Sequence, residues 1–282
     1  MAIPIIRTWR SYFEESPHEG LGSSYERVVL NLKLEQLRQD YQISSCLEAP
    51  VFGFTGLSGI NSLDLAKKGV RITLVDNHQE RLLLIEEAWR KAGEKCNSAY
   101  VENFSPLPFG DKAFDLSWNF SSMWFVSDMA SFLRELTRVT RKVVFICVPN
   151  RMGMGFLSQK YISGADLRDD LREENIVARN IVSSMVSLGW TMVARGYIDA
   201  PPWPDIGMKK EDFLKIFGLD SLLKRQGKIA NQPLTIMDYY SGKDLDFPKK
   251  MLQHYWFERT APRFVKAIWA HHRYILFEPD GT

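Results

Sequence analysis

What this sequence lacks narrows it first. Its 282 residues include only three cysteines, Cys46, Cys96 and Cys147. They are odd in number, widely spaced and set in apolar surroundings, which excludes a disulfide framework and fits reduced structural thiols. No stretch approaches roughly 18 uninterrupted apolar residues, so no membrane-spanning helix is expected. The opening Met1-Ala-Ile-Pro-Ile-Ile-Arg7 has neither the basic start nor the apolar run of a signal peptide, and a cytoplasmic location is expected. Neither sign of charge is in excess: 36 Lys and Arg stand against 34 Asp and Glu, for a formal net charge of +2. Without a basic tail or stripe, DNA is not an expected partner. There is no internal repeat and no low-complexity tract. The His271-His272-Arg273 run lies in a strand-like segment where neighbouring side chains point to opposite faces. No other metal-like cluster accompanies it in sequence, so no metal is expected.

What is present is a globular composition, 45% hydrophobic, 12% aromatic and 25% charged, able to bury a sizeable core. From Ser23 to Tyr41, Val28, Val29, Leu32, Leu34 and Leu37 recur at roughly helical spacing behind a Gly20-Leu-Gly-Ser-Ser24 turn, which predicts an N-terminal helix. Short β-rich runs then alternate with helical segments. Strands are predicted at Val51 to Thr55, Arg71 to Asp76, Ser98 to Glu102, Phe114 to Asn119 and Val143 to Val148. Helices are predicted at Asn61 to Lys68, Gln79 to Ala92 and Met129 to Arg138. Such alternation implies βαβ units and an α/β fold with a parallel sheet covered on both faces. After Pro149 come a helix from about Ile176 to Leu188, a strand from Thr191 to Ile198, and a helical, aromatic-rich segment opened by Pro201-Pro-Trp-Pro204. A last strand is predicted from Ile268 to Phe277. The organisation expected is an N-terminal helical lid over 1–45, a core over 46–200, an insertion over 201–262 and a closing strand within 263–282.

The predicted first strand runs into Phe54-Thr-Gly56-Leu-Ser-Gly59, and the second ends on Asp76. Glycines let backbone N–H groups approach a ligand at a helix N-terminus, while an acid ending the next strand can accept both hydroxyls of a ribose. The same residues also suit a tight strand-to-helix turn and a helix cap. A nicotinamide dehydrogenase is disfavoured because Gly-x-Gly-x-x-Gly is missing.

The next block separates these readings. Glu102-Asn-Phe-Ser-Pro-Leu-Pro-Phe-Gly-Asp-Lys-Ala-Phe-Asp-Leu-Ser117 is followed by Trp118-Asn-Phe-Ser-Ser-Met-Trp124 and by Leu133-Arg-Glu-Leu-Thr-Arg-Val139. In order and spacing this resembles class I S-adenosylmethionine-dependent methyltransferases over about Glu48 to Asn150. The resemblance implies a Rossmann-like seven-stranded sheet with helices on both faces, an N-terminal helical extension and a mostly helical insertion between the last two strands. It also implies S-adenosylmethionine as cofactor. Thr55, Gly56, Leu57, Ser58 and Gly59 would hold its methionine end, Asp76 the ribose, Asn77 the adenine side, Asn103 and Phe104 the adenine, and Asn119 and Phe120 the amino group and methyl-bearing sulfur. The sequence departs from the family pattern at Thr55 and Leu57, where glycines are usual, and at Gly53, where an acid is usual; Glu48 reads as too early to replace it.

Methyl transfer from a sulfonium needs an acceptor lone pair in line with the methyl, so positioning and desolvation can carry much of the catalysis. The expected partner is a small-molecule methyl acceptor enclosed by the N-terminal helix and the insertion. Weak candidates for catalysis are Tyr25, His254 and Glu258, the last two placed four apart on one helical face; a surface ion pair on an aromatic-rich helix is the commoner reading of that spacing. Arg27, Trp203, Asp205, Tyr239, Tyr240, Tyr255 and Trp256 are further lining candidates. A non-catalytic adenosyl-binding scaffold, or methylation of RNA or protein, are the alternatives. Oligomeric state leaves no mark in the sequence.

Overall fold

A computed structural model describes residues 9–14, 19–53, 56–162, 171–202 and 235–281. Its centre is a seven-stranded sheet in the order β3-β2-β1-β4-β5-β7-β6. The strands are β1 (Ser45–Glu48), β2 (Arg71–Asp76), β3 (Asn97–Tyr100), β4 (Phe114–Phe120), β5 (Thr140–Pro149), β6 (Trp190–Ile198) and β7 (His272–Pro279). The pairs from β3 through β5 are parallel, whereas β7 runs antiparallel between β5 and β6. This is the expected α/β Rossmann-like architecture.

The two buried faces follow from strand periodicity. Along β5, Val143, Phe145 and Cys147 enter one core while Val144, Ile146 and Val148 enter the other. The first core is shared with α2 (Gly20–Asp40), α3 (Leu63–Lys67) and α4 (Gln79–Lys91), which supply Val28, Leu34, Leu63 and Trp89. It also takes Ile236, Tyr240, Phe247 and Met251 from α8 (Ile236–Tyr240) and α9 (Phe247–Leu252) of the segment between β6 and β7. The second core is covered by α5 (Met129–Val139) and α7 (Ala178–Ser187) through Phe132, Leu133, Leu136, Ile181 and Met185. A short α1 (Ser11–Glu14) precedes α2, and α6 (Met154–Ile162) follows β5. Two more helices, α10 (Tyr255–Thr260) and α11 (Arg263–Trp269), lead into β7.

The sequence blocks around Leu107 and Glu135 turn out to be one latch. Glu135 accepts a hydrogen bond from the Leu107 N–H at 2.7 Å, and Arg138 donates to the carbonyls of Leu107 at 3.1 Å and Phe109 at 2.8 Å. The pairing fastens the loop after β3 to α5, which gives a structural reason for these residues to occur together.

Two predicted strands are corrected. The first strand is Ser45–Glu48 and not Val51 to Thr55: Val51 and Phe52 are buried in the loop after it, so their apolar character serves loop packing. The last strand begins at His272, because Ile268 and Trp269 belong to α11.

Asp115, buried at the start of β4, accepts from the Ser44 N–H and hydroxyl at 2.9 and 2.8 Å and from Arg141 Nε at 3.1 Å. It thereby ties the entry of β1 to β4 and β5. Asp115→Ala strands those donors and is expected to cost about 2–3 kcal/mol in urea unfolding.

Candidate functional site

The carboxyl ends of the parallel strands carry buried polar groups. At the end of β1, Glu48 Oε2 accepts from Ser62 Oγ at 2.6 Å, and Ser62 Oγ in turn accepts from Trp118 Nε1 at 3.1 Å. Asn61 Nδ2 approaches the other Glu48 oxygen at 3.4 Å. Burial pushes the Glu48 carboxyl up to about 7 against these hydrogen bonds. β1 ends at Glu48, which therefore stands at a strand end, and the loop after it is longer than expected.

That loop is tightly packed. A Cβ at Gly53 would lie 2.7 Å from the Phe120 carbonyl oxygen, so only glycine allows the loop to touch the end of β4. Gly56 and Gly59 have φ of +53° and +73°, conformations that favour glycine. Against Gly56 lies the carboxylate of Glu19, which accepts from the Leu57 N–H at 3.1 Å and from Arg27 Nε and Nη2 at 3.0 and 2.7 Å. Arg27 also donates to the Leu57 carbonyl at 2.7 Å and to Asn61. The start of α2 and the residue before it thus seal the loop with a buried ion pair.

Asp76, at the end of β2, is fully buried. It accepts from Arg81 Nε at 2.8 Å, from Arg81 Nη2, and from the His78 N–H at 2.9 Å. The Arg81 guanidinium stacks over Phe52 at 4.0 Å and faces Trp9 at 5.3 Å, and Trp9 sits edge-on to His78. Asn77 is exposed and accepts from Arg81 at 3.3 Å.

The other expected cofactor residues divide. Leu57 and Ser58 are buried in the loop, whereas Asn103 is exposed after β3. Phe104 is buried in the second core with a φ of +56°. Asn119 is fully buried at the end of β4; its Nδ2 contacts Met123 Sδ at 3.5 Å, and among the described residues its Oδ1 has no hydrogen-bond partner. The hydroxyls of Ser121 and Ser122 beside it are likewise buried without partners among the described residues. Phe120 packs on His272, ring centroids 4.4 Å apart. Thr55 lies outside the described residues, as do Trp203 and Asp205.

A second buried cluster joins α2, the end of β6, α10 and the start of β7. Glu258 accepts from the Tyr25 hydroxyl at 2.8 Å and from the N–H groups of Asp199 and Ala200 at 3.1 and 2.9 Å. Burial pushes Glu258 up to about 7 and the Tyr25 hydroxyl far above its ordinary value. His254 stands just before α10, at the cap position, while Glu258 turns into the protein. Glu258 works as a latch between α10, α2 and β6. Asp199, with φ of +64°, holds His271 Nδ1 at 2.6 Å. His272 Nδ1 lies 3.7 Å from Asp199 Oδ2 and 3.8 Å from Glu26 Oε2. Glu26 and Asp199 carried no sequence signal, since more than 170 positions of chain separate them and only folding brings them to His272. Of the other lining candidates, Tyr240 accepts from Asn31 at 2.9 Å in the first core, Tyr239 and Tyr255 are half-buried, and Trp256 is exposed.

Comparison with known proteins agrees with this geometry. Residues 54–148 match the family model described as a methyltransferase domain. The fold is similar to a chain of the Haloferax volcanii complex built around a methyltransferase activator, at 12% identity, 97% of this chain and 98% of that chain covered, and a TM-score of 0.54. It is also similar to a SAM dependent methyltransferase from Archaeoglobus fulgidus, at 10% identity, 89% and 94% covered, and a TM-score of 0.51. None of the curated proteins matches the chain. Among the described residues no helix is long and apolar enough to cross a membrane. The matched segment holds most of the loop after β1, together with β2 and β4 and their buried polar ends, so residues 54–148 of this chain are similar to a methyltransferase domain.

Proposed function

We propose that the chain methylates a small organic acceptor held between α2, the segment joining β6 to β7, the carboxyl end of β4 and the amino end of β7. The observation that carries this reading is the Glu258 latch. It ties the N-terminal helix, the segment after β6 and α10 together over the sheet edge through buried hydrogen bonds, and such an enclosure suits a small acceptor better than a polymer. S-adenosylmethionine, when bound, supplies an electrophilic methyl on a sulfonium.

The chain's own residues fit that donor at the strand ends. Asp76 is the acid for the ribose hydroxyls, and the Leu57 N–H and the glycine loop face its methionine end. Asn119, with a buried unpartnered Oδ1, offers an acceptor to its amino group. In this conformation two of these groups are already served from within: Arg81 holds Asp76, and Glu19 holds the Leu57 N–H. Cofactor entry therefore exchanges internal hydrogen bonds for ligand ones, and the fraction of molecules with Glu19 and Arg81 turned away scales the apparent affinity. The acceptor side needs desolvation and alignment more than a strong base, because a latch rather than a free carboxylate occupies the Tyr25–Glu258 position.

Calorimetric titration with S-adenosylmethionine and S-adenosylhomocysteine tests the site. Asp76→Ala is expected to weaken binding at least tenfold, and Glu19→Ala to tighten it several-fold by removing the internal competitor. An unchanged affinity in Asp76→Ala removes the site assignment. Release of S-adenosylhomocysteine across a panel of small acceptors tests the activity; donor binding with no turnover on any acceptor favours a non-catalytic adenosyl-binding role. Glu48 supplies a pH test. Its folded pKa of about 7 lies above the ordinary 4.5, so the folded state binds the proton more tightly and stability falls as pH rises between those values. Glu48→Gln lacks this penalty. Relative to the unmodified chain it should gain up to ~3 kcal/mol in urea unfolding between pH 4.5 and 7.

A further inference from the structure

We propose that Glu26, Asp199 and His272 form a binding site for one divalent first-row transition cation of the zinc or manganese type. The three side chains come from α2, the turn after β6 and the first residue of β7, and one ligand atom from each lies within 4.8 Å of the others. All three are buried, at 5%, 1% and 1% exposure.

The spacing distinguishes a metal from a shared proton. His272 Nδ1 is 3.7 Å from Asp199 Oδ2 and 3.8 Å from Glu26 Oε2, both beyond the reach of a hydrogen bond. Two ligands about 2.1 Å from one ion stand about 3.0 Å apart at a right angle and about 3.4 Å apart at a tetrahedral angle. The two distances from His272 therefore need to contract by only a few tenths of an ångström, and the two carboxylates, within 4.8 Å of one another, by at most about 1.4 Å. Among the described residues neither ring nitrogen of His272 has a hydrogen-bond partner, and Asp199 Oδ1 has none either. A fully buried imidazole with both nitrogens unserved is uncommon in a settled core.

The surroundings support the ligands. Asp199 Oδ2 is held by His271 at 2.6 Å, and the Asp199 N–H donates to Glu258 at 3.1 Å. A second layer of this kind orients ligands in metal sites. The mixed set of one nitrogen and two carboxylates suits zinc, manganese or ferrous iron, whereas magnesium prefers oxygen and retains water. Three protein ligands leave coordination positions open. Through the contact of His272 with Phe120, the cation would stand beside the end of β4, on the side of the sheet edge where an acceptor would lie. The site stands on these residues alone and does not depend on the methyl-transfer reading.

The test uses the full chain stripped with a chelator and then dialysed. Titration with Zn2+ or Mn2+ is expected to show one equivalent bound and a rise of several degrees in Tm, with Mg2+ at the same concentration giving neither. His272→Gln and Glu26→Gln should each weaken binding at least a hundredfold, while His254→Ala should bind as the unmodified chain does. Far-UV circular dichroism checks that each variant is folded, and two independent ligand variants keep the test decisive if one is not. The proposal is overturned if neither Zn2+ nor Mn2+ binds saturably, if Mg2+ binds equally well, or if binding survives both substitutions in folded protein.

Discussion

Three acids buried at or against the carboxyl edge of the sheet, Glu48, Asp76 and Glu19, are answered from inside the protein, and much of the structure around them is arranged by that requirement. Glu48 is answered by Ser62 and Asn61, Asp76 by Arg81 and the His78 N–H, and Glu19 by Arg27 and the Leu57 N–H. Each answer comes from a different element, so satisfying the charges also fixes where α2, α4 and the loop after β1 lie. Burial of apolar faces holds the layers together, but it is non-directional; the hydrogen-bonded charges supply direction.

The same requirement links the domain to its additions. α2 reaches the glycine loop through Arg27, the turn after β6 through the Tyr25–Glu258 bond, and the neighbourhood of β7 through Glu26. One helix thus touches the region expected to hold the donor and the region expected to hold the acceptor. That arrangement would let occupancy of one side be felt at the other, since displacement of Glu19 acts on Arg27, which directly follows Tyr25 and Glu26 in α2.

Much of the fold was legible in the sequence. Arg71 to Asp76 was read as a strand with its observed bounds, because four apolar or β-branched residues lead to an acid with a cappable helix behind it. β5 and α5 were equally clear, the one as a continuous apolar run and the other as an amphipathic helix begun by Asp128, whose side chain accepts from the Ser131 N–H. The reading failed at Val51 and Phe52 and again at Ile268 and Trp269. In both places apolar residues pack against neighbours without being strands: Phe52 lies under the Arg81 guanidinium, and Trp269 donates to the Pro201 carbonyl at 2.6 Å. Periodicity over so short a window does not tell a strand from a packed loop or a short helix.

By itself the sequence determined the alternation of strands and helices, the glycine loop, Asp76 at a strand end and the family those features resemble, because each depends on local spacing. Only the tertiary structure decided that Glu48 ends the first strand, that Arg81 and Glu19 serve the groups expected to meet a ligand, and that Glu26, Asp199 and His272 converge. The Glu19–Leu57 contact and the Glu26, Asp199 and His272 grouping join residues far apart in the chain. Their proximity follows from how helices pack across the sheet, and no spacing along the chain records it.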